Sequence, residues 1–137
     1  VSASDHPVLP ENRRTPRAAM VAAAGQFMQA LGSNAAAPDV FASDCQWLVN
    51  GQAVGGCAAS FGSPQLARIE QVRDRDVLAV DEERGLVALR FFEDLPAADG
   101  TGYPLTYQVV EVARFDNGRI VQLEAFTSEL PYGMRPR

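Results

Sequence analysis

Apolar residues along the chain recur with two different periods. Met20, Ala24, Phe27, Met28 and Leu31 are spaced three or four apart and form one stripe of a helix. Thr15-Pro16 opens that helix: a hydroxyl at the N-cap, then a proline whose missing N–H costs nothing. Gly32 is a natural stop, with Ser33-Asn34 in the following loop. Residues 1–14 hold two prolines and Arg13-Arg14 without any apolar period, which predicts a mobile arm ahead of a single domain over 15–137. A short second helix is expected around Pro38 to Ala42. A strand from Cys45 to Val49 follows, closed by the turn pair Asn50-Gly51. Cys57 to Gln65 is ambiguous, with room for a third short helix. From Leu66 onward the period shortens to two. Ile69, Val72, Val77, Leu78 and Val80 flank the charged run Arg73-Asp74-Arg75-Asp76, and a turn from Asp81 to Gly85 leads to a strand from Leu86 to Asp94. After a loop over 95–104, Leu105 to Phe115, the turn Asp116-Asn117-Gly118 and Arg119 to Glu129 make the clearest hairpin. Helices first and a mostly antiparallel meander afterwards predict an α+β fold with helices packed on one sheet face.

Composition narrows the chemistry. The net charge of −5 argues against nucleic-acid and anionic-membrane partners, which need clustered positive charge. No apolar run reaches the roughly 20 residues of a membrane span. All twelve basic residues are arginine, which excludes a lysine Schiff base. One histidine and two cysteines are too few for a closed zinc site, and a Ser-His-Asp or Cys-His mechanism would rest on His6 in the arm. No glycine-rich phosphate loop is present, so no cofactor is expected. Cys45 and Cys57 flank a turn containing Gly51, Gly55 and Gly56. They are either bridged, as in a secreted or periplasmic protein, or two reduced thiols of a cytoplasmic one. The opening Val1-Ser2-Ala3-Ser4-Asp5 fits either the end left by signal-peptide removal or a trimmed chain.

The stretch Val109-Val110-Glu111-Val112-Ala113-Arg114-Phe115-Asp116-Asn117-Gly118-Arg119-Ile120 resembles the final hairpin of the nuclear transport factor 2-like superfamily. That group includes ketosteroid isomerase, scytalone dehydratase, limonene epoxide hydrolase and SnoaL-like polyketide cyclases. The resemblance implies a cone-shaped α+β barrel whose curved sheet wraps a long N-terminal helix and leaves a pocket between them. The sequence is more closely similar to a poorly characterised fungal and bacterial domain of that superfamily. The marks are Arg73-Asp74-Arg75, Val80 to Gly85, Ile120 to Ala125, and Pro131-Tyr132-Gly133-Met134. Alignment on ketosteroid isomerase sets Glu111 where that enzyme keeps a protonated aspartic acid as oxyanion donor. The enzyme's tyrosine falls on Phe27, and its general base on Val49 or Asn50. Two of three catalytic positions therefore cannot ionise, which argues against steroid isomerisation by that mechanism. The poorly characterised domain commonly has glutamate at the position of Val49, another departure.

Strand alternation gathers Tyr107, Val109, Glu111 and Ala113 on one face, and Val121, Leu123, Ala125 and Thr127 on one face of the next strand. By resemblance these line the pocket. A lone carboxyl there loses hydration, which raises its pKa and suits it to acid/base work; the alternative is that Glu111 pairs with an arginine such as Arg90. Tyr107 is placed to donate a hydrogen bond to a developing oxyanion. On the strand before, either Leu86, Ala88, Arg90 and Phe92 or Val87, Leu89, Phe91 and Glu93 face the pocket. If it is the first set, Arg90 is an electrophilic helper. Phe27, Trp47, Asn50, Val109, Leu123, Ala125 and Thr127 are the candidate substrate-contacting residues. Arg73-Asp74-Arg75-Asp76 is expected to divide arginines and aspartates between opposite faces, and Tyr132 and Met134 to fold over the pocket mouth.

The expected function is a cofactor-independent lyase, dehydratase, isomerase or cyclase with Glu111, Tyr107 and Arg90 as catalytic residues. Its substrate is an apolar, aromatic or polycyclic small molecule. The alternatives are a non-catalytic small-molecule carrier and a structural domain with a vestigial pocket. A homodimer or homotrimer is expected from the superfamily's habit of pairing through the outer sheet face, where Glu124 falls.

Overall fold

The computed structural model describes residues 6–33, 35–97 and 102–136. Its first long element is the helix α1 (Arg17–Ser33), which buries Met20, Ala24, Phe27, Met28 and Leu31 as the spacing predicts. Its start is built differently from the expected cap. The Thr15 hydroxyl accepts from Gly118 N at 3.0 Å, and the Glu82 carboxylate accepts from Arg17 N at 3.0 Å, where the helix dipole favours negative charge. Residues 6–14 are packed rather than free. Leu9 is buried and donates its N–H to Glu83 O, and Arg13 ion-pairs with Asp116 while its carbonyl accepts from Asn117 N. Apolar burial and these bonds clamp the segment against two hairpin turns.

No helix forms over Pro38 to Ala42. Val40 N turns back to Pro38 O, Val40 O accepts from Ile120 N, and β1 (Phe41–Val49) begins at once. Pairing with the last strand outweighs the local signal. The chain continues through β2 (Gln52–Gly56), the one-turn helices α2 (Cys57–Ser60) and α3 (Pro64–Ala67), β3 (Gln71–Asp81), β4 (Leu86–Leu95), β5 (Leu105–Asp116) and β6 (Arg119–Leu130). Helix α3 is capped by Ser63, whose hydroxyl accepts from Leu66 N. One curved sheet runs in the order β2-β1-β6-β5-β4-β3, antiparallel except for β1 against β6.

Among the register shifts of the sheet, those in β3 and between β5 and β6 move key side chains away from simple alternation. Between Arg114 and Phe115 the register slips, so that Ile120, expected outward, lies opposite Phe115 and is fully buried, while Val121 is the extra residue. In β3 the register slips between Arg73 and Asp76, with Asp74 at φ 52°. The arginines are thereby parted. Arg73 lies over Phe92 and bonds Asp94 at 2.7 and 2.9 Å, whereas Arg75 approaches Gly32 of α1. Gly85 is required by its surroundings: φ is +69°, and a Cβ there would lie 2.3 Å from Phe115 O.

The concave face holds the core. Phe27 of α1 is at its centre, with ring centroids of Trp47, Phe41, Phe61 and Phe91 at 5.5 to 6.4 Å. On the convex face the C-terminal segment straps down β3 to β5: Met134 O accepts from Arg73, Gly133 N donates to Thr106 Oγ1, and Tyr132 bonds Glu70. The expected closure of Tyr132 and Met134 over the pocket is thus corrected, because the buried Arg73–Asp94–Thr106 network draws the tail to the other side.

Candidate active site

Beyond the aromatic core the concave face opens into a cavity of about 540 Å³, within the range of small-molecule sites. Its floor is the sheet: Trp47 and Val49 from β1, Ala125 and Thr127 from β6, Tyr107, Val109 and Glu111 from β5, and Glu93 and Leu95 from β4. Its roof is Val54 to Gly56, the helices α2 and α3, and Ile69. A disulfide between Cys45 and Cys57, Cα atoms 5.4 Å apart, pins that roof to β1. The long helix packs on the aromatic core instead of lining the cavity.

Glu111 is 1% exposed, fixed between Leu89 and Ala125 in the sheet register. Burial, aided by the charge of Glu93, pushes its carboxyl well above the ordinary value, which favours the protonated form. The indole N–H of Trp47 lies near and opposes this shift slightly. The two do not form a proper hydrogen bond: Trp47 Nε1 and Glu111 Oε2 both lack a partner among the described residues. Such unpartnered buried polar atoms are rare in folded proteins and cost stability. Glu93, half-buried on the same face and paired in register with Tyr107, is pushed up to about 7 by burial. The site therefore holds two carboxyls on neighbouring strands, both raised above the ordinary value by burial. Among the described residues no group of three or more His, Cys, Asp or Glu is gathered as metal ligands.

The candidate residues divide clearly. Glu111, Tyr107, Trp47, Val109, Ala125, Asn50 and Thr127 all line the cavity. Asn50 and Thr127 bond each other reciprocally at 2.9 and 3.0 Å, forming a clasp at the rim. Phe27 and Leu123 do not line it: both are fully buried in the hydrocarbon core. Arg90 does not reach it either. The strand presents Val87, Leu89, Phe91 and Glu93 to the interior, and Arg90 points outward to Asp76 at 3.3 Å. Glu111 therefore has no arginine partner from that strand, and Glu93 stands where the helper was expected. The signal for Glu93 was its parity with Val87, Leu89 and Phe91; Phe92 masked it by making the opposite set look equally apolar.

A curved α+β cone with its cavity on the concave side defines the nuclear transport factor 2-like fold, shared with SnoaL-like proteins. Within it, the chain belongs to the family described as a domain of unknown function (DUF8021), which matches residues 13–127. No protein of curated function matches the sequence. Among solved structures it is similar to AclR of Streptomyces galilaeus, a candidate hydroxylase, with TM-score 0.65, 17% identity, and 85% of this chain and 83% of that one covered. A candidate SnoaL-like polyketide cyclase from Jannaschia sp. CCS1 gives 0.60 at 15% identity, covering 84% and 90%. A candidate isomerase from Bacillus subtilis gives 0.62 at 15%, covering 81% and 87%. Identities this low speak to the fold alone.

Proposed function

We propose that the protein is an acid/base enzyme needing no cofactor, which moves protons on an apolar small molecule as an isomerase, dehydratase or cyclase. The observation that carries this is the Glu111 carboxyl: nearly dry, open to a cavity, and with Oε2 lacking a hydrogen-bond partner among the described residues. Protonated Glu111 donates its proton to a substrate oxygen, either a carbonyl on the way to an enol or a hydroxyl leaving as water. The Glu93 carboxylate, balanced near neutrality, takes the proton from the adjacent carbon. Proton exchange through solvent then restores both groups. Tyr107 adds a phenol to the same wall. The candidate cyclase and isomerase among the similar structures support this choice of reaction classes by analogy. The Cys45–Cys57 bridge supports residence in an oxidising compartment, periplasmic or extracellular.

The test uses a panel of apolar ketones and β-hydroxyketones, such as 2-tetralone, followed by NMR for deuterium exchange at the α-carbon and for water loss. The wild-type protein is expected to accelerate at least one of these reactions over buffer, and Glu111→Gln and Glu93→Gln each to lose about 10²-fold or more. No acceleration across the panel, or Gln variants at the wild-type rate, overturns the reading.

A further inference from the structure

We infer that the cavity selects ligands by charge, and that its preferred ligand is an apolar frame carrying one protonated nitrogen seated beside Glu93. This rests on the cavity being the ligand site proposed above, but not on turnover. The ionisable groups among the described lining residues are Glu93, Glu111 and Tyr107, and no arginine is among them. The chain has twelve basic residues to place, all arginine. Arg68, between the lining residues Leu66 and Ile69, is exposed and is not part of the lining, and four others are turned to acids: Arg73 to Asp94, Arg84 to Asp81, Arg90 to Asp76 and Arg119 to Asp39. Burial raises the Glu93 carboxyl, and no cation among the described residues offsets it. A half-buried carboxylate without a counter-charge is unfavourable, and a bound cation relieves it through a charge-assisted hydrogen bond.

The walls suit the same ligand. Trp47 and Tyr107 put aromatic side chains in the wall, while Val49, Leu66, Ile69, Leu95, Val109 and Ala125 accept the ligand's hydrocarbon. Burial and the charge of Glu93 both favour the neutral form of Glu111, which leaves Glu93 as the carboxylate to meet a cation. A carboxylate or phosphate ligand would instead face Glu93 with nothing to neutralise it.

The experiment is isothermal titration at pH 7.5 with three probes of one shape: 1-adamantanemethylamine, 1-adamantanemethanol and 1-adamantanecarboxylate. The amine is expected to bind about tenfold or more tighter than the alcohol, and the carboxylate about tenfold or more weaker. In Glu93→Gln the amine should fall to the affinity of the alcohol while the alcohol is unchanged. An amine no tighter than the alcohol, a carboxylate equal to either, or no binding by any probe overturns the inference. A correct charge order in a protein whose Glu111→Gln variant keeps full turnover would instead overturn the acid/base reading and leave this one standing.

Discussion

Glu93→Gln should make the protein more stable, and only above mildly acidic pH. The wild-type carboxyl rises from an ordinary value of 4.5 to about 7 on folding. An acid raised in this way stabilises the fold while it is protonated. That contribution is complete below pH 4.5 and is lost as pH climbs through about 7, where the folded protein must hold a charge that water would solvate better. Over this window the loss amounts to about 3 kcal/mol. Glutamine keeps the shape of the neutral acid and cannot ionise, so the variant escapes the loss. Urea unfolding followed by the fluorescence of the single tryptophan, Trp47, gives the free energies. Wild type and variant should agree near pH 4.5 and differ by about 3 kcal/mol in favour of the variant at pH 8. Asp94 and Asp116, whose carboxyls are held low by Arg73 and Arg13, lose stability in the opposite direction at acid pH, and that loss is common to both proteins. A difference that does not change with pH, or a wild type more stable at pH 8, would refute the burial of Glu93.

Asp94→Ala removes the partner of a buried Arg73 guanidinium and should cost about 3 kcal/mol in a urea titration, with Phe92 and the C-terminal strap becoming open to limited proteolysis. Replacing Cys45 and Cys57 together by serine opens a loop spanning 12 positions and should lower stability by roughly 3 kcal/mol; thiol titration of the unfolded wild type should find no free sulfhydryl until reductant is added. Gly85→Ala forces a Cβ against Phe115 O, and circular dichroism should report a melting temperature lower by several degrees or an unfolded chain.

The parts of this molecule legible in the sequence are those governed by near neighbours. Helix α1 follows from its apolar spacing, and the β5–β6 hairpin from a turn between two alternating strands; the resemblance to the superfamily then indicated which face is inward, and with it Glu111. What escaped depended on distant chain. Phe92 points outward, yet it is buried because Arg73 and the C-terminal strap cover it. That cover erased the contrast between the two faces of β4 and hid Glu93 behind Arg90. Phe27 looked like a cavity residue until Phe41, Phe61 and Trp47 closed around it. The roof helices are four residues each, too short for a 3.6-residue period to register.

The order of strands has a consequence for how the protein is made. β1 lies between β2 and β6, so one of its two edges is completed only by the last strand of the chain. During synthesis from the N-terminus, Phe41 and Trp47 leave the ribosome 79 and 76 residues before Ile120 and Leu123, with which they pair. Until then the nascent chain carries an open edge and uncovered aromatic rings. Closure of the sheet must wait until β6 has left the ribosome, and that interval is when the chain is most exposed to self-association and most dependent on chaperones.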